Sequence, residues 1–156
     1  MSNKTIVIGI DGATFQLMDD LLADGELPNI KRVIEDGVHG DLRSTLPPST
    51  VPAWPAFYTG KSPSKMGIQG FATLQSDSYD FEIVGSDRPE SAAVWDYLGE
   101  AGRRSLVFNI PTTYPPKKID GVLVSGLMTP TDATDWARPD DVQSELEDLD
   151  YRISVD

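Results

Sequence analysis

Residues 5–12 read Thr-Ile-Val-Ile-Gly-Ile-Asp-Gly, and this stretch decides the fold class. A short run rich in β-branched residues, bounded by Lys4 on one side and a turn dipeptide on the other, suits a central strand over Thr5 to Ile10 that is buried on both faces. Asp11-Gly12 ends it, since Asp-Gly is a common turn dipeptide. Beyond the turn, helical and strand patterns alternate. Phe15, Met18, Leu21 and Leu22 fall at helical spacing over Phe15 to Ala23, and Asp24-Gly25 supplies the stop. Ile30, Val33 and Ile34 mark a second helix over Asn29 to Asp36, closed by Gly37. Val38 to Arg43 reads as a weak strand, and Ser44 to Thr50 is too rich in Pro and hydroxyls to be regular.

A helix resumes over Val51 to Thr59 with Trp54, Phe57 and Tyr58. Pro52 is tolerated in its first turn, and Ser49 or Thr50 is the expected N-cap. Gly60 to Arg88 is polar and rich in Gly and Ser, so 61–90 is expected to be an irregular surface excursion with a hairpin around Tyr79 to Val84. A helix over Glu90 to Gly102, a strand over Ser105 to Ile110, a loop over Pro111 to Pro116 and a strand over Gly121 to Ser125 follow. An acidic amphipathic helix over Pro139 to Leu149, begun by Asp140 or Asp141, comes last. The alternation predicts an α/β fold, a mainly parallel sheet with helices on both faces, within a single domain over 1–156. In such sheets ligands bind beyond the carboxyl ends of the strands. The positions to interrogate are therefore Asp11, the loop through Thr50, Asn109 to Thr113, and Ser125 onward.

Composition narrows the function classes. The 156 residues hold 13 Lys plus Arg against 25 Asp plus Glu, a net charge of −12, with one His and no Cys. Without Cys there are no disulfides, thiolate metal sites or thiol nucleophiles. A phosphate backbone repels a charge of this sign, and no basic stripe offsets it, so a nucleic acid polymer is not an expected partner. No stretch approaches the roughly 18 apolar residues of a membrane span, and residues 1–12 lack the pattern of an export signal. The chain is expected to be soluble and cytoplasmic. The acidic excess is 18 Asp to 7 Glu, with only 6 Lys. Such a surface repels itself in dilute buffer and is screened when the Debye length falls to about 3 Å near 1 M salt. A halophilic cytoplasm is the expected setting.

Two post-strand residues carry candidate chemistry. Asp11 puts a carboxylate at the sheet edge, where it either binds a cation or simply makes a turn. Thr50 follows two prolines that stiffen its loop and precedes a helix, so its hydroxyl either caps that helix or lies where anions gather. A neutral hydroxyl is a poor nucleophile and becomes a good one beside a divalent metal. No phosphate-binding glycine fingerprint competes: GIDGAT is not G-x-G-x-x-G, and TGKSPSK lacks the P-loop glycine spacing. His39, in Gly37-Val38-His39-Gly40, has no G-x-S-x-G to serve.

Taken together, VIGIDGAT, the string from Gly25 to Ile68 that contains LPPSTVPAWPAFYTGKSPSKMGI, and the later FNIPTTYPP and GVLVSGLMTP resemble one family over essentially the whole chain. It is the alkaline phosphatase superfamily, in its branch of type I phosphodiesterases/nucleotide pyrophosphatases and phosphohydrolase/phosphomutases. The resemblance implies a metal-dependent phosphoester or phosphodiester hydrolase with two divalent ions, zinc or alternatively manganese, and a hydroxyl nucleophile that takes the phosphoryl group covalently. Asp11 matches the family's first metal-binding aspartate. Thr50, in PPSTVPAW, matches the nucleophile that also touches the metal. The implied partner is a small phosphate ester.

The chain departs from the family pattern at Met66, where a His is common, and in the absence before Asp156 of the family's further Asp and His ligands. The expectation is an N-terminal portion of an alkaline-phosphatase-like domain, inactive alone, that pairs with a missing C-terminal half or with a second copy of itself. Asp132 and Asp135 are expected in a solvated loop. The alternative is a non-catalytic α/β module that keeps the nucleophile loop and binds a partner or self-associates.

Overall fold

The computed structural model describes residues 4–74, 79–89 and 91–153. The chain divides into two compact units, Met1–Arg43 and Ser44–Asp156.

The first unit holds two helices, α1 (Phe15–Ala23) and α2 (Pro28–Asp36). Thr14 is extended and its Oγ1 accepts the Leu17 N–H at 3.3 Å, which gives α1 the side-chain cap its first turn needs. Pro28 opens α2, where the missing N–H costs nothing. Both helices match the expected spans to within one residue. The strands expected over Thr5 to Ile10 and Val38 to Arg43 do not form among the described residues. Ile6 is 84% and Ile8 82% exposed, and no described side chain of this unit is buried. A strand exists through the ladder it shares with a neighbour, so β-branched composition alone does not make one.

The second unit contains α3 (Thr50–Thr59), α4 (Pro63–Met66), β1 (Ala72–Leu74), β2 (Phe81–Ile83), α5 (Val94–Glu100), β3 (Ser105–Ile110), β4 (Gly121–Ser125), β5 (Ala137–Arg138) and α6 (Asp140–Asp148). Helices and strands are mixed, as an α/β reading requires. The mainly parallel sheet is not what the described residues build. Only β3 and β4 run parallel, in register from Ser105 opposite Gly121, while β4–β5 and β1–β2 are antiparallel. The two-residue β5 was not legible: Trp136-Ala137-Arg138 sits between acidic turns and shows no alternation. The helix α5 begins at Val94, after the expected start; Glu90 lies outside the described residues.

Three apolar clusters make the core of this unit. Tyr58, Ala93, Trp95, Val107 and Leu123 join α3 and α5 to the β3–β4 pair. Val124, Trp136 and Ala137 fill the other side, covered by Val142 and Leu146 of α6. Val51, Met66, Ile68 and Val84 form the third, with Ala56 and Met128 packed against it. Through that third cluster the polar segment after Gly60 is tied down at Met66, Ile68 and Val84, three apolar residues scattered in a hydrophilic stretch.

Candidate functional site

Thr50 is the first residue of α3. Ser49 before it is extended, with φ −146° and ψ 152°, and takes the N-cap position without a side-chain bond to the helix. The helix is closed at this end by the Ala53 N–H, which donates to the Ser49 carbonyl at 3.1 Å. Upstream, Thr45 Oγ1 donates to the Pro47 carbonyl at 3.0 Å and folds the Pro-rich loop on itself. Thr50 is half-buried, whereas Val51 next to it is fully buried. Thr50 thus stands at the end of α3 where the helix dipole is positive, beside a residue locked in the core.

The far end of α3 is tied to the loop that follows β3. Tyr58 Oη lies 3.1 Å from Thr112 Oγ1 and its ring packs 4.9 Å from that of Trp95. Burial pushes the Tyr58 phenol above its ordinary value of 10.0, and the Thr112 bond pulls the other way to a lesser degree. Thr112 Oγ1 itself donates to the Pro111 carbonyl at 2.5 Å.

The loops beyond β3 and β4 are stitched together. The Thr112 N–H donates to the Leu127 carbonyl at 3.0 Å, the Gly126 N–H to Thr113 Oγ1 at 3.2 Å, and Ser125 Oγ to the Thr113 carbonyl at 3.2 Å. Gly126 has to be glycine, because a Cβ there would lie 2.4 Å from the Ile110 carbonyl oxygen. Asn109, Thr112 and Met128 all have positive φ, at 56°, 62° and 84°. Asn adopts left-handed backbone readily, but it is costly for Met and above all for a β-branched Thr, and there it persists only where surrounding contacts over-determine it. Met128, packed against the cluster of Val51, links this layer to the start of α3. Position after a strand pointed to Asn109 to Thr113 and Ser125 onward; Tyr58 and Met128 carried no signal beyond an apolar pattern.

Asp11 lies in the first unit. It is exposed, in a turn closed by the Ala13 N–H to the Ile10 carbonyl at 3.4 Å, with Gly12 at φ +72°. That conformation suits Gly at the third position of the turn. His39, in the same unit, packs beside Phe15 with ring centroids 5.8 Å apart. In the second unit Met66 is buried, and its Sδ accepts from Thr59 Oγ1 at 3.2 Å, so a thioether fills the place where a His is common in the resembling family. Asp135 is engaged by Arg138, whose Nη2 donates to Oδ2 at 2.6 Å; that bond holds the carboxyl below its usual value. Asp132 is exposed.

Among the described residues no group of three or more His, Cys, Asp or Glu comes together in a way that could hold a metal ion. A catalytic zinc takes about three protein ligands and an open position. The pair of ions that the resemblance implies does not fit the described residues. No helix among them is long and apolar enough to cross a membrane.

A family model described as type I phosphodiesterase / nucleotide pyrophosphatase matches residues 5–155. Comparison with curated proteins and with solved structures returned no match.

Proposed function

Because the chain belongs to the type I phosphodiesterase / nucleotide pyrophosphatase family, we propose that it carries the nucleophile-bearing part of a phosphoester or phosphodiester hydrolase, with Thr50 as the nucleophile. The observation that carries this is the position of Thr50: a half-buried, hydroxyl-bearing first residue of α3, with Val51 and Tyr58 anchoring that helix at its two ends. Thr50 Oγ attacks phosphorus as the bond to the ester oxygen breaks, and the hydroxyl proton ends on the departing oxygen, which leaves as the alcohol. The phosphothreonine formed is released when water attacks the same phosphorus. First-turn N–H groups of α3 favour the negative non-bridging oxygens, although Pro52 contributes none.

The family generally uses divalent metals. Asp11 and Thr50 remain proposed metal donors on the family resemblance alone, and two oxygens fall short of the ligand count for one zinc, let alone two. The purified chain is therefore proposed to turn over an aryl phosphodiester slowly or not at all. The 18 Asp and 6 Lys support a high-salt working environment.

The test is hydrolysis of bis(4-nitrophenyl) phosphate with and without added zinc or manganese, for the wild type and Thr50→Ala. The expected result is a residual rate within about tenfold of buffer, one kcal-scale step in barrier, that falls to background in the variant. Robust metal-dependent turnover abolished by Thr50→Ala would uphold the nucleophile and overturn the inactivity. A rate that Thr50→Ala leaves untouched removes Thr50 from the chemistry and favours the binding-module alternative.

A further inference from the structure

The helix that carries Thr50 is short of hydrogen bonds where it begins. Pro52 and Pro55 both lie in the first six residues of α3, and a proline has no N–H to donate. Pro55 therefore has nothing to give the Val51 carbonyl four residues back, where an α-helix would place its bond. A proline inside a helix is also where helices bend. Between the two prolines stands the Ala53 N–H, which donates to the Ser49 carbonyl at 3.1 Å. A first turn built this way depends on what it packs against.

What holds α3 is a closed circuit through the loops after β3 and β4. Val51 and Tyr58 are seven residues apart, so they lie on one face of the helix, about two turns or 10 Å apart along its axis. At the far end Tyr58 Oη meets Thr112 Oγ1 at 3.1 Å. The Thr112 N–H donates to the Leu127 carbonyl at 3.0 Å. Met128, the next residue, packs against the cluster of Val51, Met66, Ile68 and Val84, which brings the circuit back to the start of α3. The far anchor combines a hydrogen bond with a ring packed on Trp95, whereas the near anchor is apolar packing.

Two residues of this circuit are left-handed, Thr112 at φ 62° and Met128 at φ 84°. Glycine takes such a conformation without steric cost. With methionine at a φ that favours glycine, what the position supplies is its side chain, half-buried against the cluster that seats Val51. A long, unbranched thioether is suited to filling an irregular gap of this kind. Thr50 precedes Val51, and successive helical residues are turned by about 100°. The direction in which Thr50 faces therefore follows from how Val51 is seated.

We propose that Met128 is a positioning residue for Thr50: by packing against the cluster of Val51 it fixes the first turn of α3, which the two prolines leave unable to fix itself. This rests on the assignment of Thr50 as nucleophile and adds to it the residue that sets its place.

The test uses the full chain and two substitutions. Met128→Gly removes the side chain and accepts the positive φ, so the loop keeps its conformation; Met128→Leu restores an apolar side chain on the same backbone. Two readouts are taken. One is amide hydrogen exchange, which does not depend on the chemistry of Thr50, and the other is the part of bis(4-nitrophenyl) phosphate hydrolysis that Thr50→Ala removes. Met128→Gly is expected to speed exchange at Ala53 about tenfold relative to the protected amides of the β3–β4 ladder. It should also lower the Thr50-dependent rate about tenfold through kcat with KM unchanged, since a displaced nucleophile still meets its substrate but attacks it poorly. Met128→Leu should return both to the wild-type values. Exchange at Ala53 that does not change, or that rises in step with the β3–β4 amides, makes Met128 one more core residue and overturns the proposal. So does a loosened Ala53 with the Thr50-dependent rate intact. A loosened Ala53 in a chain whose hydrolysis Thr50→Ala never alters sinks the nucleophile reading instead and leaves Met128 a support of the helix alone.

Discussion

Ile6, Ile8, Leu17 and Val33 in the first unit are as apolar as Val51, Ile68, Val107 and Leu123 in the second, yet all four of the former are exposed and all four of the latter are buried. The difference lies in partners. In the second unit, β3 and β4 share a parallel ladder, α3 and α5 pack on it, and the buried apolar side chains meet others contributed from distant parts of the chain. In the first unit, two helices of nine residues each stand with no shared ladder among the described residues. Hydrophobic character is thus a demand for cover. Only elements that meet neighbours satisfy it, and the proposed nucleophile lies on the side of the chain where the demand is met.

The largest effect expected from this contrast is in hydrogen exchange of the intact chain. Amides of β3 and β4 should exchange only through global opening, at about 5 kcal/mol or more. Those of residues 4–43 should be protected by about 1 kcal/mol or less, because helices shorter than about 12 residues are marginal without packing. Equal protection in the two units would erase the contrast. A peptide spanning 1–43 should correspondingly show little helix by circular dichroism.

Single substitutions come next. Leu123→Ala or Val51→Ala, at fully packed positions, should cost about 2–4 kcal/mol in urea unfolding. Leu17→Ala, on an exposed helix face, should stay within about 0.5 kcal/mol. If Leu17→Ala costs as much as Leu123→Ala, the first unit has a core after all.

Tyr58→Phe keeps the ring against Trp95 and removes the hydroxyl, so about 1 kcal/mol is expected at neutral pH. It also carries a pH signature. Burial raises the phenol above 10.0 in the folded state, so the unfolded chain ionises first. Stability from this group is fully present below about pH 10 and is lost as pH rises through the folded value. The variant should flatten that alkaline decline; an unchanged decline would assign it to other groups.

The smallest effect concerns Asp135. Its bond to Arg138 lowers the carboxyl, so its contribution is present above the ordinary carboxylate range and fades as pH falls through the folded value. On an exposed pair, solvent screens most of this. Asp135→Asn should shift the acid limb of a melting profile only slightly.

Much of the local structure was legible. The spacing of Phe15, Met18, Leu21 and Leu22 delimits α1, the run Ser105 to Ile110 delimits β3, and Gly121 to Ser125 delimits β4. These rest on periodicity and stop residues, which act over a few positions. Thr5 to Ile10 was misread because a β-branched run reports a preference for a pleated surface and not the presence of a neighbour. Met66, Ile68 and Val84 were hidden because isolated apolar residues in a polar segment have no period. Of the site, PPSTVPAW placed Thr50 at the head of a helix, whereas the ties of that helix through Tyr58 to Thr112 and through Val51 to Met128 join residues far apart in the chain.

Alone, the amino-acid order determined the helices α1 to α3, the strands β3 and β4, the acidic Lys-poor surface and the family. Tertiary structure alone decided which apolar residues are buried and how the loops after β3 and β4 brace one another. Local order is set by backbone sterics and short-range periodicity, while burial and loop bracing depend on which distant segments meet.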